Sequence, residues 1–260
     1  MNASSHLTAV TGTTVLLRAT VKHDSRGIAP WVLIIALLSA SSVLAYPLVF
    51  PTQEDRAGLA LAIGGNPAIG LIFGPAVDLS TAEGFTIWRA LALGGFLAAL
   101  GAVFAVTRAT RAQEDSGQAE LLAAGVLGRA SRLLVGVLMG LIASLLAGVV
   151  PGVATALCGG EWESSMLLGA TFTATGLMFT GVAAVAAQLG SDARTANSIS
   201  IGTFGGLFLL RGFAYSVNAP VWMIWSNPLG WLTQTRPAAG NHWWPLWFTV
   251  AFSSPSGWAR

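Results

Sequence analysis

Residues 133–156 read LLVGVLMGLIASLLAGVVPGVATA, and none of these side chains carries a charge. A helix needs about 20 apolar residues to cross the hydrocarbon core of a bilayer, which is about 30 Å thick. The stretch therefore predicts a membrane-spanning helix. Its glycines agree with this prediction, because small residues let transmembrane helices approach one another closely.

The composition of the whole chain points to the same class of protein. Hydrophobic residues make up 54% of the 260 residues, charged residues make up 9%, and the mean hydropathy is +0.68. Soluble domains carry about 25% charged residues. A net charge of +2 is too small to indicate a nucleic-acid partner. The single cysteine, Cys158, excludes an internal disulfide framework.

Apolar runs of spanning length predict an all-α polytopic helix bundle. A sixth run begins at Trp243 and is only about ten residues long, or about 15 Å as a helix, so we expect a truncated sixth span. The first run follows a polar N-terminus and is longer than a signal-peptide core, so we expect it to be retained. The transmembrane domain is predicted over 28–253, followed by a short tail, 254–260. The five full spans are predicted at 28–50, 85–106, 133–156, 165–189 and 199–217.

The distribution of basic residues predicts the orientation of the bundle. Basic residues are enriched in cytoplasmic loops, and an N-terminus in the cytoplasm places eight of them inside and two outside. The inner set is Arg18, Lys22, Arg26, Arg108, Arg111, Arg129, Arg132 and Arg194, and the outer set is Arg56 and Arg236. We therefore predict a plasma-membrane protein with a cytoplasmic N-terminus.

Three segments outside the spans have their own predictions. Within the N-terminal segment 1–27, residues 15–27 are either an amphipathic interfacial helix or a disordered basic tail. The outer segments 51–84 and 218–242 are too apolar for ordinary loops and too rich in Gly and Pro for spans. They predict short interfacial or re-entrant helices. Six tryptophans in or just after the second outer segment favour an aromatic belt over an aromatic ligand site. They are Trp222, Trp225, Trp231, Trp243, Trp244 and Trp247.

No hydrolytic or metal chemistry is visible in the sequence. The histidines His6, His23 and His242 lack the spacing of metal ligands. Lys22 is the only lysine, and Val21 precedes it, so the chain contains no GxxxxGK[ST] phosphate loop. We expect no cofactor and no enzymatic activity in this chain. If ATP drives the protein, a partner chain must bind it.

Two arginines within predicted spans are candidate functional residues, because a charge in the bilayer costs about 2.5–3.5 kcal/mol on insertion scales. Arg89 lies near the outer end of the second span, and Arg211 lies within the fifth. Arg211 either faces a polar cavity or an inter-helix partner, or it extends to the outer interface. Neither span carries a buried acid, which argues against proton coupling.

Charge is concentrated in the predicted cytoplasmic loop 108–132. Within it, Asp115 and Ser116 are able to cap a helix start, and the residues from Glu114 onward allow a helix with one apolar side. Such a helix could dock into a soluble partner. The alternative is an ordinary solvated loop.

The sequence RAQEDSGQAELLAAGVLGR (111–129) resembles the first cytoplasmic loop of actinobacterial antibiotic-exporter permeases. These are type-2 ABC transporters of the tetronasin or polyketide exporter kind. Three further stretches match the family in the same order. They are NPAIGLIFGPAVDLSTAEGFTIWR (66–89), AAVAAQLGSDARTANSIS (183–200) and SNPLGWLTQTRPAAGNHWWPL (226–246).

The resemblance implies the N-terminal six-helix half of a permease, driven by a separate dimeric ATPase that holds ATP and Mg. In such permeases the loop between spans two and three contains the coupling helix that contacts the ATPase. Gln118 stands where the family often has Arg. The second half would come from a homodimer or from another permease chain. The residues that match the coupling motif are Glu114, Asp115, Gly117, Glu120 and Leu121.

The leading functional hypothesis is the permease subunit of an exporter of hydrophobic compounds, such as antibiotics, drugs or lipid-like molecules. Spans two and five, which have polar faces, are expected to line the pathway. Two alternatives remain at this point: an ion-coupled secondary transporter, and a truncated permease fragment that does not transport.

Overall fold

The computed structural model describes residues 13–64, 66–112 and 129–253, and within these ranges every regular element is a helix. Five helices are long: α1 (Thr13–Val49), α4 (Ala82–Thr107), α5 (Arg129–Leu157), α6 (Trp162–Leu189) and α7 (Ala193–Ser216). A π-helical turn, Arg108–Ala112, extends α4. Five helices are short: α2 (Gln53–Gly64), α3 (Pro67–Phe73), α8 (Val221–Trp225), α9 (Pro228–Thr233) and α10 (Leu246–Ser253).

Four helical stretches of the described chain are long and apolar enough to cross a membrane. They cover the first four predicted spans, so the chain is a polytopic helical membrane protein. Predicted span 199–217 lies in α7, whose 24 residues extend over about 36 Å. Its glycines and Arg211 make α7 less apolar than the four, so its crossing of the membrane stays a prediction. The four stretches are Arg26–Val49, Ala82–Arg111, Ser131–Leu157 and Trp162–Leu189.

The N-terminal part of α1 is continuous with the first span. Residues 15–27 belong to the same helix as residues 28–49, although Pro30 lies inside it. The segment is therefore helical, as the first of the two alternatives has it. Whether it lies along the membrane surface stays a prediction.

Short helices form in both segments that are broken by Gly and Pro, as the sequence predicts. Asn66 caps α3, and its side chain accepts a hydrogen bond from the Ala68 N–H at 3.0 Å. Asn227 caps α9 in the same way through the Leu229 N–H at 2.9 Å. In both cases Pro follows at the first helical position, where its missing N–H costs nothing. The predicted sixth span appears as α10, which is only 8 residues long.

Contacts between helix ends define two ends of the bundle. At the basic end, Thr107 donates to the side-chain oxygen of Asn197 at 2.8 Å, and Arg111 donates to the Ala187 carbonyl. At the opposite end, the Tyr46 hydroxyl donates to the Leu79 carbonyl at 2.5 Å. The basic end carries Arg26, Arg108, Arg111, Arg132 and Arg194, and the opposite end carries Glu54, Asp55, Asp78, Glu161 and Glu163.

Glycines set the distance between α5 and α6. A Cβ atom placed on Gly148 would lie 2.3 Å from the carbonyl oxygen of Gly169. A Cβ atom on Gly169 would lie 2.5 Å from the carbonyl oxygen of Gly148. No real Cβ atom approaches a backbone so closely. The two backbones therefore touch directly at this pair, as in other tightly packed transmembrane helices.

Replacing Gly169 with alanine should force α5 and α6 apart and lower the unfolding free energy by about 1–3 kcal/mol. Gly181→Ala, on the same helix, is the matched control, because nothing lies within 4 Å of the added methyl. The control should be neutral or stabilising by up to about 1 kcal/mol, since alanine is the better helix former. Steric trapping of both variants in detergent measures the difference. Equal stabilities would contradict the direct backbone contact.

Candidate functional site

A cavity of about 290 Å³ lies at the acidic end of the bundle, between α4, α7 and the short helices. We call it the Trp88 cavity. Its wall is largely apolar, and a few polar groups line it. From α3, α4 and the turn between them come Phe73, Pro75, Val77, Asp78, Gly84, Ile87, Trp88 and Leu91. From α7 onward come Tyr215, Val221, Ile224, Thr233, Gln234, Arg236, Pro237, Ala238 and Ala239.

Trp88 is held in place from two directions. Its ring stacks on Phe73 with centroids 4.7 Å apart, and its Nε1 donates to the Gly74 carbonyl at 3.2 Å. Gly74 ends α3 with φ of +80°, a conformation that other residues rarely adopt. Tyr215 contributes the facing wall, and its hydroxyl is hydrogen-bonded to that of Thr233. The aromatic wall is therefore held by contacts with neighbouring residues of the same wall and with the Gly74 backbone.

The turn before α4 brings a carboxylate to the cavity. Asp78 accepts hydrogen bonds from the hydroxyl and the N–H of Ser80, at 2.6 and 2.9 Å. These bonds hold the pKa of Asp78 below its usual value, the hydroxyl more strongly than the N–H. Asp78 is therefore ionised at neutral pH. A side chain on Gly84 would lie 2.0 Å from the carbonyl oxygen of Asp78, so only glycine fits there.

A tight loop, 236–241, covers one side of the Trp88 cavity. Arg236, Ala238 and Asn241 have positive φ angles of 43°, 56° and 49°. The Asn241 side chain accepts from the Ala238 N–H at 2.9 Å, and the His242 N–H donates to the Thr235 carbonyl at 2.7 Å. Each positive φ costs about 1–2 kcal/mol in a residue with a Cβ atom. These hydrogen bonds hold the loop in that conformation against the cavity.

The two arginines singled out from the sequence lie in different surroundings. Arg89 is half-buried and donates from Nη1 to the Ser42 hydroxyl at 3.1 Å, which joins α4 to α1. Arg211 is only 6% exposed, so it points into the bundle and does not extend to an interface. Its Nη2 donates to the Ile72 carbonyl at 3.0 Å, at the end of α3.

The residues expected to couple to an ATPase lie outside the described ranges. They are Glu114, Asp115, Gly117, Gln118, Glu120 and Leu121, and their role stays a prediction. The flanking elements are described: the π-helical turn Arg108–Ala112 and the start of α5 both lie at the basic end. The connection 113–128 therefore leaves and rejoins the bundle at that end.

None of the six tryptophans of the predicted belt lines the Trp88 cavity. Trp222 and Trp247 are 70% and 74% exposed. Trp225 instead stacks on Trp244, with centroids 5.0 Å apart, and this pair joins α8 to the chain before α10. Whether they lie in the membrane interface stays a prediction.

Sequence analysis missed Trp88 and Tyr215 as cavity residues. The available signal was indirect: Trp88 follows one segment rich in Gly and Pro and Tyr215 precedes another, so both lie at the same predicted end of their helices. Nothing in the sequence identifies which short helix packs against which long one. The described residues also contain no group of three His, Cys, Asp or Glu placed to hold a metal ion.

Comparisons with known proteins identify relatives of this chain. The family model described as "Multidrug efflux system permease Rv1217c, C-terminal domain" matches residues 56–254. The multidrug efflux system permease protein Rv1217c of Mycobacterium tuberculosis (strain ATCC 25618 / H37Rv) is 34% identical over 244 residues. These residues are 93% of this chain and 43% of that protein, so the chain spans less than half of its length. The matching model describes a C-terminal domain, so it does not support the expected N-terminal position.

Replacing Ala238 with glycine should leave stability unchanged or raise it by up to about 1 kcal/mol, because relief of the positive φ outweighs the unfolded-chain cost that any Ala-to-Gly change carries. Ala239→Gly is the matched control, since the neighbouring residue has no positive φ. The control should lose up to about 1 kcal/mol through the greater freedom of the unfolded chain. Unfolding midpoints in detergent compare the two. A loss of stability in Ala238→Gly as large as in the control would contradict the loop conformation.

Proposed function

Because the chain belongs to the family of the multidrug efflux permease Rv1217c, we propose that it is the permease subunit of an ATP-driven exporter of hydrophobic compounds. The observation that carries the proposal is the Trp88 cavity. Both α4 and α7, the helices expected to line the pathway, contribute to its wall. Its size and largely apolar lining are those of a small-molecule site.

The energy source is a separate ATPase. Nucleotide-driven transport needs a phosphate-binding loop, and a chain whose only lysine follows Val21 has no such motif. The partner ATPase would bind ATP and Mg, and this chain would contribute the membrane path. The second half of the membrane domain would come from a second copy or from another permease chain.

The ATPase docks at the basic end. The five described arginines at this end match the bias of cytoplasmic loops. The connection 113–128 begins and ends there, and it contains the residues that match the coupling motif. Under this arrangement the Trp88 cavity opens toward the outer side of the membrane.

The affinity-tagged chain is purified from native membranes, and the ATPase activity that is recovered with it is measured. Replacing residues 114–121 with an eight-residue Gly–Ser linker should abolish this activity. Membrane insertion and expression should be unchanged, because the spans are intact. The matched control replaces residues 53–60, an equally long stretch at the acidic end. An ATPase retained equally well by both variants would overturn the docking assignment. Transport that persists without an ATPase but collapses with the proton gradient would favour the ion-coupled alternative.

Replacing Val77 with tryptophan should block the Trp88 cavity. Val77 lines the cavity and is 63% exposed, so the larger side chain need not disturb the core. We expect at least tenfold weaker binding of the neutral aromatic probe 1-naphthaleneacetamide, measured by calorimetry on the purified chain in dodecyl maltoside. Val49→Trp is the control, because Val49 is 61% exposed and lies outside the cavity. Equal binding by both variants would contradict the cavity as the substrate site.

A further inference from the structure

Arg211 is a buried positive charge that no described carboxylate neutralises. No acidic side chain of the described ranges forms an ion pair with it. Its guanidinium lies 4.9 Å from the centroid of the Phe208 ring, and Nη2 donates to the Ile72 carbonyl. The Nε atom is buried and has no hydrogen-bond partner among the described residues. A charge buried with such incomplete compensation is costly.

The carbonyl and the ring do not explain why this residue is an arginine. A neutral donor would satisfy the Ile72 carbonyl equally well. A ring face attracts a cation by about 0.5–2 kcal/mol, which is much less than an anion contributes in a site shielded from water. A single water would satisfy Nε but would leave the charge uncompensated. The missing component is an acceptor that carries negative charge.

There is room for one such acceptor beside the Arg211 side chain. Arg211 lines a small pocket of about 20 Å³, enough for one polar group of the size of a water molecule. We call it the Arg211 pocket. The hydroxyl-bearing residues Thr171, Thr175 and Thr233 line it, together with aromatic and aliphatic side chains. It therefore offers a charged donor in largely apolar surroundings.

The Arg211 pocket adjoins the Trp88 cavity. Leu91 and Thr233 line both spaces. Tyr215, one helical turn after Arg211 on α7, lines the larger one. A ligand whose apolar body fills the Trp88 cavity would reach Arg211 if its end passed between Leu91 and Thr233. At the entrance the charges of Asp78 and Arg236 balance one another, so the uncompensated charge is the deep one.

We propose that Arg211 binds the carboxylate of an amphipathic organic acid whose apolar body occupies the Trp88 cavity. A carboxylate oxygen in the Arg211 pocket would accept a hydrogen bond from the guanidinium and neutralise its charge, and such charge-assisted bonds are stronger than neutral ones. The same site disfavours cations, which Arg211 repels. The inference rests on the proposed function and narrows it: the exported compounds are weak acids with an apolar body.

The test compares a matched pair of probes, 1-naphthaleneacetic acid and its amide, which have nearly the same shape but differ in charge and in the NH2 group of the amide. Calorimetry on the purified full chain in dodecyl maltoside at neutral pH, with empty micelles subtracted, measures both affinities. We expect the wild type to bind the acid at least tenfold more tightly than the amide. Arg211→Met should bind acid and amide equally, because the charge that distinguishes the two probes is gone. Arg211→Lys should recover part of the preference.

Arg56→Met is the control for a positive charge at the same end of the bundle but outside the Trp88 cavity, and it should keep the preference for the acid. Amide binding by Arg211→Met reports that this variant is folded. If it does not fold, the wild-type ratio of acid to amide affinity and the Arg211→Lys ratio decide. Equal affinities in the wild type, or an unchanged preference in Arg211→Met, would overturn the proposal. Lysophosphatidic acid that competes with 1-naphthaleneacetic acid and binds more tightly than it would also overturn the proposal, in favour of a lipid headgroup site.

Failure of this inference is distinguishable from failure of the proposed function. If acid and amide bind equally and Val77→Trp abolishes both, the cavity stands as the site and only the preference for acids is wrong. If Val77→Trp changes neither, the cavity itself is not the binding site.

Discussion

The direct contact between the backbones of Gly148 and Gly169 is the constraint on which the rest of the bundle depends. Helices in lipid gain little from the hydrophobic effect, so they associate through close packing. This contact fixes α6 against α5. Since α6 also packs against α4, α7, α9 and α10, its position determines where the cavity walls lie.

Polar side chains in the long helices mostly satisfy their hydrogen bonds within their own helix. The hydroxyls of Ser39, Ser144 and Thr175 donate to carbonyls four residues earlier, at 2.9, 2.7 and 2.8 Å. Such groups are buried at little cost and need no partner helix. Arg89 and Arg211 differ, because each reaches another element. Arg89 finds a hydroxyl on α1, whereas Arg211 finds only part of what a guanidinium requires.

The helices were predictable because each depends on local composition. The run 133–156 is apolar along its whole length, and α5 follows it closely. The burial of Arg211 was not predictable, because it depends on Gly212: a side chain there would lie 2.2 Å from the Leu71 carbonyl. This close approach places α3 beside α7. Contacts between residues so distant in sequence leave no periodic pattern, so the Trp88 cavity emerged only from the structure.

The short helices were predictable for the same reason, because their start signals are local, but their arrangement was not. Asn66 before Pro67 and Asn227 before Pro228 are local start signals. The hydrogen bond from Asn227 to the Leu207 carbonyl, at 2.7 Å, joins α9 to α7 across 20 residues. The loop at 236–241 was similarly hidden, since Ala238 has no intrinsic preference for a positive φ.

The connection between α5 and α6 has a consequence for biogenesis. Only residues 158–161 separate the two helices, and Glu161 caps α6 by accepting from the Ser164 N–H at 2.7 Å. The pair is a helical hairpin whose decisive contact joins residues close in sequence, so it closes a short loop at small entropic cost. It is able to form as soon as the ribosome has released both helices. Later segments then assemble on a template that already exists, and the Trp88 cavity, which needs α7 to α9, is completed last.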